Sequence, residues 1–172
     1  FKMAVDLTLK SVYVTAREAS PPTLNNPGSG GVGIVRTIGS FLASVTASLS
    51  ATSVIRMFDI PSNAIVTRLW FASAAQTAGK FDIGLYRVNK DGGAVVDQDF
   101  FATAVDCASA VVITDETNES TTNTIAKRAQ PIWQASGMTE DPKTMLDVAL
   151  TVVTTDVTTG TGAVELRVEY VV

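Results

Sequence analysis

The sequence predicts an all-β chain: an antiparallel β-sandwich, jelly-roll-like, with an extended N-terminal arm and one short helix. Three observations predict it. Apolar residues recur with a period of two in one short stretch after another. Residues that favour turns, chiefly Gly, Pro, Asn and Asp, separate these stretches. The two longest repeats, near the C-terminus, alternate apolar with polar side chains, which marks antiparallel strands with one wet face and argues against βαβ units.

Met3, Val5, Leu7 and Leu9 share one face of a first strand, with Ala4, Asp6 and Thr8 on the other. Val12–Thr15 extends it or forms a second short strand. Residues 20–33 hold Pro21, Pro22, Pro27 and four glycines, which excludes a helix or a central strand. This stretch reads as a long loop, so residues 1–50 form the arm and residues 51–172 the sandwich body. Residues 39–53, rich in Ser, Ala and Thr, suit either a loosely packed strand or an extended strap.

Within the body, residues 53–60 and 65–73 alternate as strands around a turn at Pro61, Ser62 and Asn63. Phe81, Ile83, Leu85 and Arg87 alternate against Asp82, Gly84 and Tyr86. Asp91, Gly92 and Gly93 then make a tight turn, because glycine takes positive φ without steric cost. Residues 95–104 begin as a strand and end in a helical turn. Residues 111–114 form a short apolar strand and 115–123 a polar loop. Pro131 suits the first position of a helix and Gly137 the residue past its end, so 131–136 is the short helix. Residues 145–155 and 163–172 read as a hairpin joined by the Gly-containing link 156–162.

The chain has 172 residues, enough for one domain and an extension without staples. Charged residues are 17% of it, against roughly 25% in ordinary domains. A surface so poor in charge suits burial against partners. The charge is also unevenly spread. Residues 1–57 carry five bases (Lys2, Lys10, Arg17, Arg36, Arg56) against Asp6 and Glu18, a net +3, and the rest carries −7. That split is either ordinary solubility or a basic segment laid on an acidic neighbour. The bases are scattered, with no basic–aromatic cluster, so nucleic-acid binding is not expected. No apolar run nears the roughly 20 residues of a membrane span, and residues 1–10 lack a signal-peptide pattern.

The sequence holds few residues in patterns that point to chemistry. The chain has no His, which removes the commonest general base and metal ligand. Cys107 is the single thiol, beside Asp106, so neither a disulfide nor an activated nucleophile is expected. Gly28, Gly30, Gly31 and Gly33 spell a dinucleotide fingerprint by letter, yet they follow Pro27 and precede no helix, so they read as loop. Asp97 and Asp99 share one face of a strand. A calcium site or an acid–base pair is imaginable there, but a solvated acidic edge is the simpler reading. Asn118 to Ser120 spells a glycosylation sequon that matters only on export. Trp70 and Trp133 are read as core, with sugar stacking as the alternative, and Tyr86 and Tyr170 as core-edge residues with wet hydroxyls. No catalytic, cofactor or metal residue is assigned.

Several segments together resemble a known group. They are residues 55–64 (Ile-Arg-Met-Phe-Asp-Ile-Pro-Ser-Asn-Ala), 66–69, 82–86 (Asp-Ile-Gly-Leu-Tyr), 92–102, 131–138 (Pro-Ile-Trp-Gln-Ala-Ser-Gly-Met) with Asp141 and Pro142, and 166–171. Over about residues 53–172 the chain resembles virion structural proteins of tailed bacteriophages, of the kind that decorate or cement capsids. The resemblance implies a sandwich, no enzymatic activity, no cofactor and oligomeric display on the virion. The implied partners are the major capsid protein and copies of the chain itself, a trimer being one symmetry, with assembly in the host cytoplasm. A tail or head–tail adaptor, or a carbohydrate-binding sandwich on the virion, are the alternative roles. The expected partner-binding residues are Met3, Val5, Leu7 and Leu9, as an apolar strand offered to a neighbour, with Lys10, Arg17 and Arg36 as its charges.

Overall fold

The computed structural model describes residues 8–10, 14–15, 18, 34–45, 49–76, 79–153 and 162–172. Nine strands are found there: β1 (Thr8–Lys10), β2 (Arg36–Leu42), β3 (Val54–Pro61), β4 (Ile65–Ser73), β5 (Lys80–Arg87), β6 (Val95–Asp106), β7 (Val111–Asp115), β8 (Met145–Val152) and β9 (Val164–Val171). One sheet has the order β1-β3-β8-β5-β6 and the other β2-β9-β4-β7. Every pairing is antiparallel except that of β1 with β3. Strands β2 to β9 pass back and forth between the sheets in the 2-9-4-7 and 3-8-5-6 orders, which is the eight-stranded jelly roll. The fold class read from the sequence is therefore the observed one.

The core lies between the sheets. Ile55, Phe58 and Ile60 from β3 meet Leu69 and Phe71 from β4, and Leu166 and Val168 from β9 close the layer. Phe100 and Phe101 are both buried, with ring centroids 4.8 Å apart in an edge-to-face pair. Burying each such ring contributes about 1.5–3 kcal/mol. The short helix α1 (Ile132–Ala135) follows Pro131, and Gly137 sits past its end at φ 85°. Ile132 and Ala135 face the core.

Four expectations change. Residues 145–155 and 163–172 are not a hairpin: β8 pairs with β3 and β5, and β9 with β2 and β4. Alternation reports a buried face but not the partner, and the link between them carries the chain to the other sheet. β6 stays extended through Asp106 instead of ending in a helical turn. It instead absorbs extra residues as a bulge, since Leu85 pairs with Asp97 while Ile83 pairs with Ala102. Val14 and Thr15, expected in a strand, are helical. Finally, two stretches of the expected arm belong to the sheets. Thr8–Lys10 lies parallel to Val54–Arg56, and Arg36–Leu42 is an edge strand registered on β9 from Tyr170 to Val164. Leu9, Ile38 and Leu42 pack on the core, so apolar burial draws these strands onto their own body.

Candidate interaction surfaces

The two sheets present unlike outer faces. On the five-stranded sheet the outward residues are themselves covered. Arg56 is 4% exposed and Asp147 0%. Arg56 Nη1 donates to Asp147 Oδ2 at 2.6 Å and to the Arg87 carbonyl at 2.8 Å, and Nη2 donates to the Gly93 carbonyl at 2.7 Å. The guanidinium also stacks on the Tyr86 ring at 5.4 Å. The turn at residues 89–93 thus lies over this face. The β6 bulge covers its other half. Gln98 Nε2 and the Ala104 amide both donate to Asp82, at 2.7 and 2.8 Å. The bulge passes so close to Gly84 that a Cβ there would lie 2.1 Å from the Gln98 carbonyl oxygen. Tyr86 shares a hydrogen bond with Thr151 at 2.5 Å, so its hydroxyl is buried and not wet, and burial pushes its pKa up.

The N-terminal residues join this cover. Lys10 pairs with Glu18, and Asn89 Nδ2 donates to Glu18 Oε1 at 3.0 Å, while Val14 is fully buried. Of the expected partner-binding residues, Leu9 packs on the chain's own core and Lys10 is held by Glu18. Arg36 opens β2 opposite Tyr170. Met3, Val5, Leu7 and Arg17 lie outside the described residues, as do the glycines from Gly28 to Gly33.

The outer face of the four-stranded sheet is open. Phe41 on β2 is 55% exposed, and Val112 and Ile113 on β7 are 85% and 65% exposed. Trp70, Ala72, Ile113 and Arg167 line a dent of about 210 Å³ between them, and a second dent of about 220 Å³ lies beside it at Phe41, Ala72 and Ala163. Trp70 is half-buried on this face and Trp133 is half-buried beyond the core, which corrects the reading of both as core residues. Arg68 lies over the Trp70 ring at 5.3 Å and pairs with Asp115 at 3.5 Å, and Arg167 pairs with Glu165 at 2.9 Å, so the charges here largely neutralise one another.

Charge is segregated from flank to flank. β6 and β7, joined by the short corner 107–110, are the terminal strands of the two sheets. The Ser120 amide donates to the Phe101 carbonyl at 2.9 Å and ties the loop after β7 back to β6. Between Asp91 and Ala126 the chain holds seven acids (Asp91, Asp97, Asp99, Asp106, Asp115, Glu116, Glu119) and no Lys or Arg. Burial, then the hydrogen bond and charge of Asp99, raise the Asp97 carboxyl above its ordinary value. Glu116 is raised too, by burial and then by Glu119 and Asp115. Between residues 19 and 58, the stretch that carries β2, there is no acid.

Among the described residues no cluster of three or more Cys, Asp or Glu is placed to hold a metal ion, and Asp97 and Asp99 gain no third ligand. Cys107 is buried and its thiol is pushed up to about 12, first by burial. A polar hollow at one end of the sandwich, lined by Ser62, Lys90, Asp141 and Lys143, sets two lysines against one carboxylate, and that carboxylate accepts from the Ser62 hydroxyl. Among the described residues no helix is long and apolar enough to cross a membrane.

The features that sequence reasoning missed are Phe41, Val112 and Ile113. The signal was present for β7: Val111-Val112-Ile113 is apolar without alternation, yet too short to belong to the core on both faces.

No protein-family profile matches the sequence, and no curated protein matches it. Solved structures do. The fold is similar to that of a chain in the capsid of Ralstonia phage GP4, with a TM-score of 0.67, 14% identity, and 95% of this chain and 97% of that chain covered. It is also similar to a chain in the capsid asymmetric unit of cyanophage Pam1, with a TM-score of 0.51, 15% identity, and 90% and 96% covered. At such identities the shared property is the fold, and it is shared nearly end to end.

Proposed function

We propose that this chain is a non-enzymatic structural protein of a tailed-phage capsid, a decoration or cement protein that binds the outside of the major capsid shell and stabilises it. The observation that carries the reading is the near end-to-end likeness to a chain of about the same length in a phage capsid. The surfaces support it. One sheet face is sealed by the chain's own segments, while the other offers exposed apolar side chains around shallow dents, as a surface meant for protein contact does. The neutralised ion pairs on that face can be desolvated together with their partners. Residues 1–7, with Met3, Val5 and Leu7, are an additional attachment segment in this reading, and copies of the chain gain firmness by binding side by side on a symmetric lattice.

The test is co-sedimentation of the purified chain with shells that lack it, followed by a reconstruction of the loaded particle. Saturable binding, density on the outer surface and a higher melting temperature of the shells are expected. Failure to sediment with both unexpanded and expanded shells overturns the proposal.

One observation favours a second reading, glycan binding on the virion. Trp70 lines a dent whose wall carries Arg167 and Glu165, groups that can hydrogen-bond a sugar stacked on the ring. Glycan-array binding that is lost in Trp70→Ala with folding intact is the result it requires.

A further inference from the structure

We infer that the free edge of β7 is a docking site for an extended, cationic polypeptide segment of another protein, which adds to the four-stranded sheet as a fifth strand. The inference deepens the capsid reading and rests on it for the identity of the partner, a segment of the shell; the edge itself is argued from the chain alone.

Three features converge on β7. It is a terminal strand: its hydrogen-bonded neighbour is β4, and no strand among the described residues lies on its other side. A terminal strand presents a row of unpaired amides and carbonyls, which proteins ordinarily blunt with a Lys, a Pro or an inward charge. β7 carries no Lys and no Pro; it is short, and a bulge interrupts its ladder with β4 where Val112 and Ile113 both lie opposite Ala72. Its middle residues are Val112 and Ile113, the two most exposed large apolar side chains among the described residues. Their β-branched shapes suit cross-strand packing, and the Ile113 side of the edge opens onto the dent with Trp70 and Ala72. A partner strand could therefore bury apolar side chains there while its backbone closes the ladder.

Charge decides what kind of segment fits. The 32 residues that build the flank, Val95 to Ala126, carry six acids and no base. The cations that reach it from elsewhere include Arg68, which meets Asp115 at 3.5 Å, Lys80, which lies opposite Asp106 in the β5–β6 register, and Lys127, which bears on Asp97. Asp106, before β7 in the chain, and Glu119, after it, are both exposed. An incoming strand with alternating Lys or Arg is drawn to this flank, and an acidic one is repelled. A second copy of this chain is a poorer occupant. Its least acidic flank, around β2, offers only Arg36 between residues 19 and 55.

The test uses the full chain and hydrogen–deuterium exchange, with an acetylated octapeptide alternating lysine and valine as the probe and a glutamate–valine octapeptide as the control. The lysine peptide should slow exchange at Val111–Asp115, and the effect should vanish in Val112→Lys/Ile113→Lys, in Glu119→Lys to a lesser degree, and in high salt. Both residues of the double variant are exposed, so its fold is expected to be intact, and unchanged exchange in β4 and β9 checks this. Three outcomes overturn the inference: no slowing at β7, equal slowing by the glutamate peptide, or slowing that rises with protein concentration alone, which would make a second copy the occupant. Shell binding separates the two proposals. If the double variant sediments with shells as well as the parent does, the edge is not the docking site and the capsid reading stands. If neither sediments but the lysine peptide still slows β7, the edge stands and the capsid reading fails.

Discussion

At the scale of single residues, the strongest constraints are polar groups and a glycine under the covered sheet face. Arg56 and Asp147 are almost wholly buried, and removing two ions from water costs more than one contact returns. Further acceptors at Arg87 and Gly93 and the Tyr86 ring reduce that cost and lock the 89–93 turn onto the sheet. Gly84 is demanded by contact instead of by conformation. An added methyl would sit 2.1 Å from one carbonyl oxygen and 2.3 Å from another, so backbone must move. Gly84→Ala is expected to destabilise the fold by about 3 kcal/mol or more, the upper end for overpacking, as read by urea unfolding. A loss below about 1 kcal/mol would mean that the bulge does not lie on the sheet. Glu116 makes a pH prediction. Burial and the two neighbouring carboxylates raise its pKa, so the folded state holds the proton more tightly than the unfolded chain. Stability from this group is complete below the unfolded value of about 4.3 and is lost as pH rises through the raised one. Glu116→Gln keeps the shape without the charge. It should be more stable than the parent at pH 7, with the difference closing as pH falls to about 4; a difference independent of pH would refute the assignment.

At the scale of elements, alternation of side chains identified strands but not their partners. β9 alternates buried with accessible residues and was legible in full, from Val164 to Tyr170. β8 was legible as a strand, yet its outward residues Asp147, Ala149 and Thr151 are buried as well, because distant segments cover them. Nothing within 145–152 reports that cover. The same holds for Arg56, which reads as an exposed strand residue and is a buried anchor. The short helix and the Gly92–Gly93 turn were legible because proline and positive-φ glycine act locally, with φ 89° and 64° observed at the two glycines. The open face was not legible, since Trp70 and Phe41 look like core residues until the sheet order is known. The N-terminal elements give the sharpest prediction at this scale. The melting temperature of the chain without residues 1–7, which keeps every described residue, is the reference. Removing residues 1–18 also takes away β1, Val14 and the Glu18–Asn89 hydrogen bond, and should lower it by several degrees. Equal melting temperatures for the two truncations would show that β1 is not held on β3.

At the scale of the whole molecule, the question is whether residues before 50 behave as an arm or as part of the sandwich. β2 is registered on β9 over seven residues from Arg36 to Leu42, and Ile38 and Leu42 reach the shared core. The two sheets own no separate interiors: each apolar layer exists because the other covers it. Unfolding one sheet therefore exposes the inner face of the other, and partial unfolding has no stable intermediate to stop at. Calorimetry should show one transition, with an enthalpy on the order of 100 kcal/mol near 60 °C for a chain of 172 residues. Amides of β2 should exchange through the same global opening as those of β9, with parallel dependence on denaturant. An earlier, separate opening of β2 would make residues 34–45 a detachable segment after all. In that case β9 would take the place of β2 as the terminal strand on the flank opposite β7, and the strand-pairing edge on that side would be that of β9.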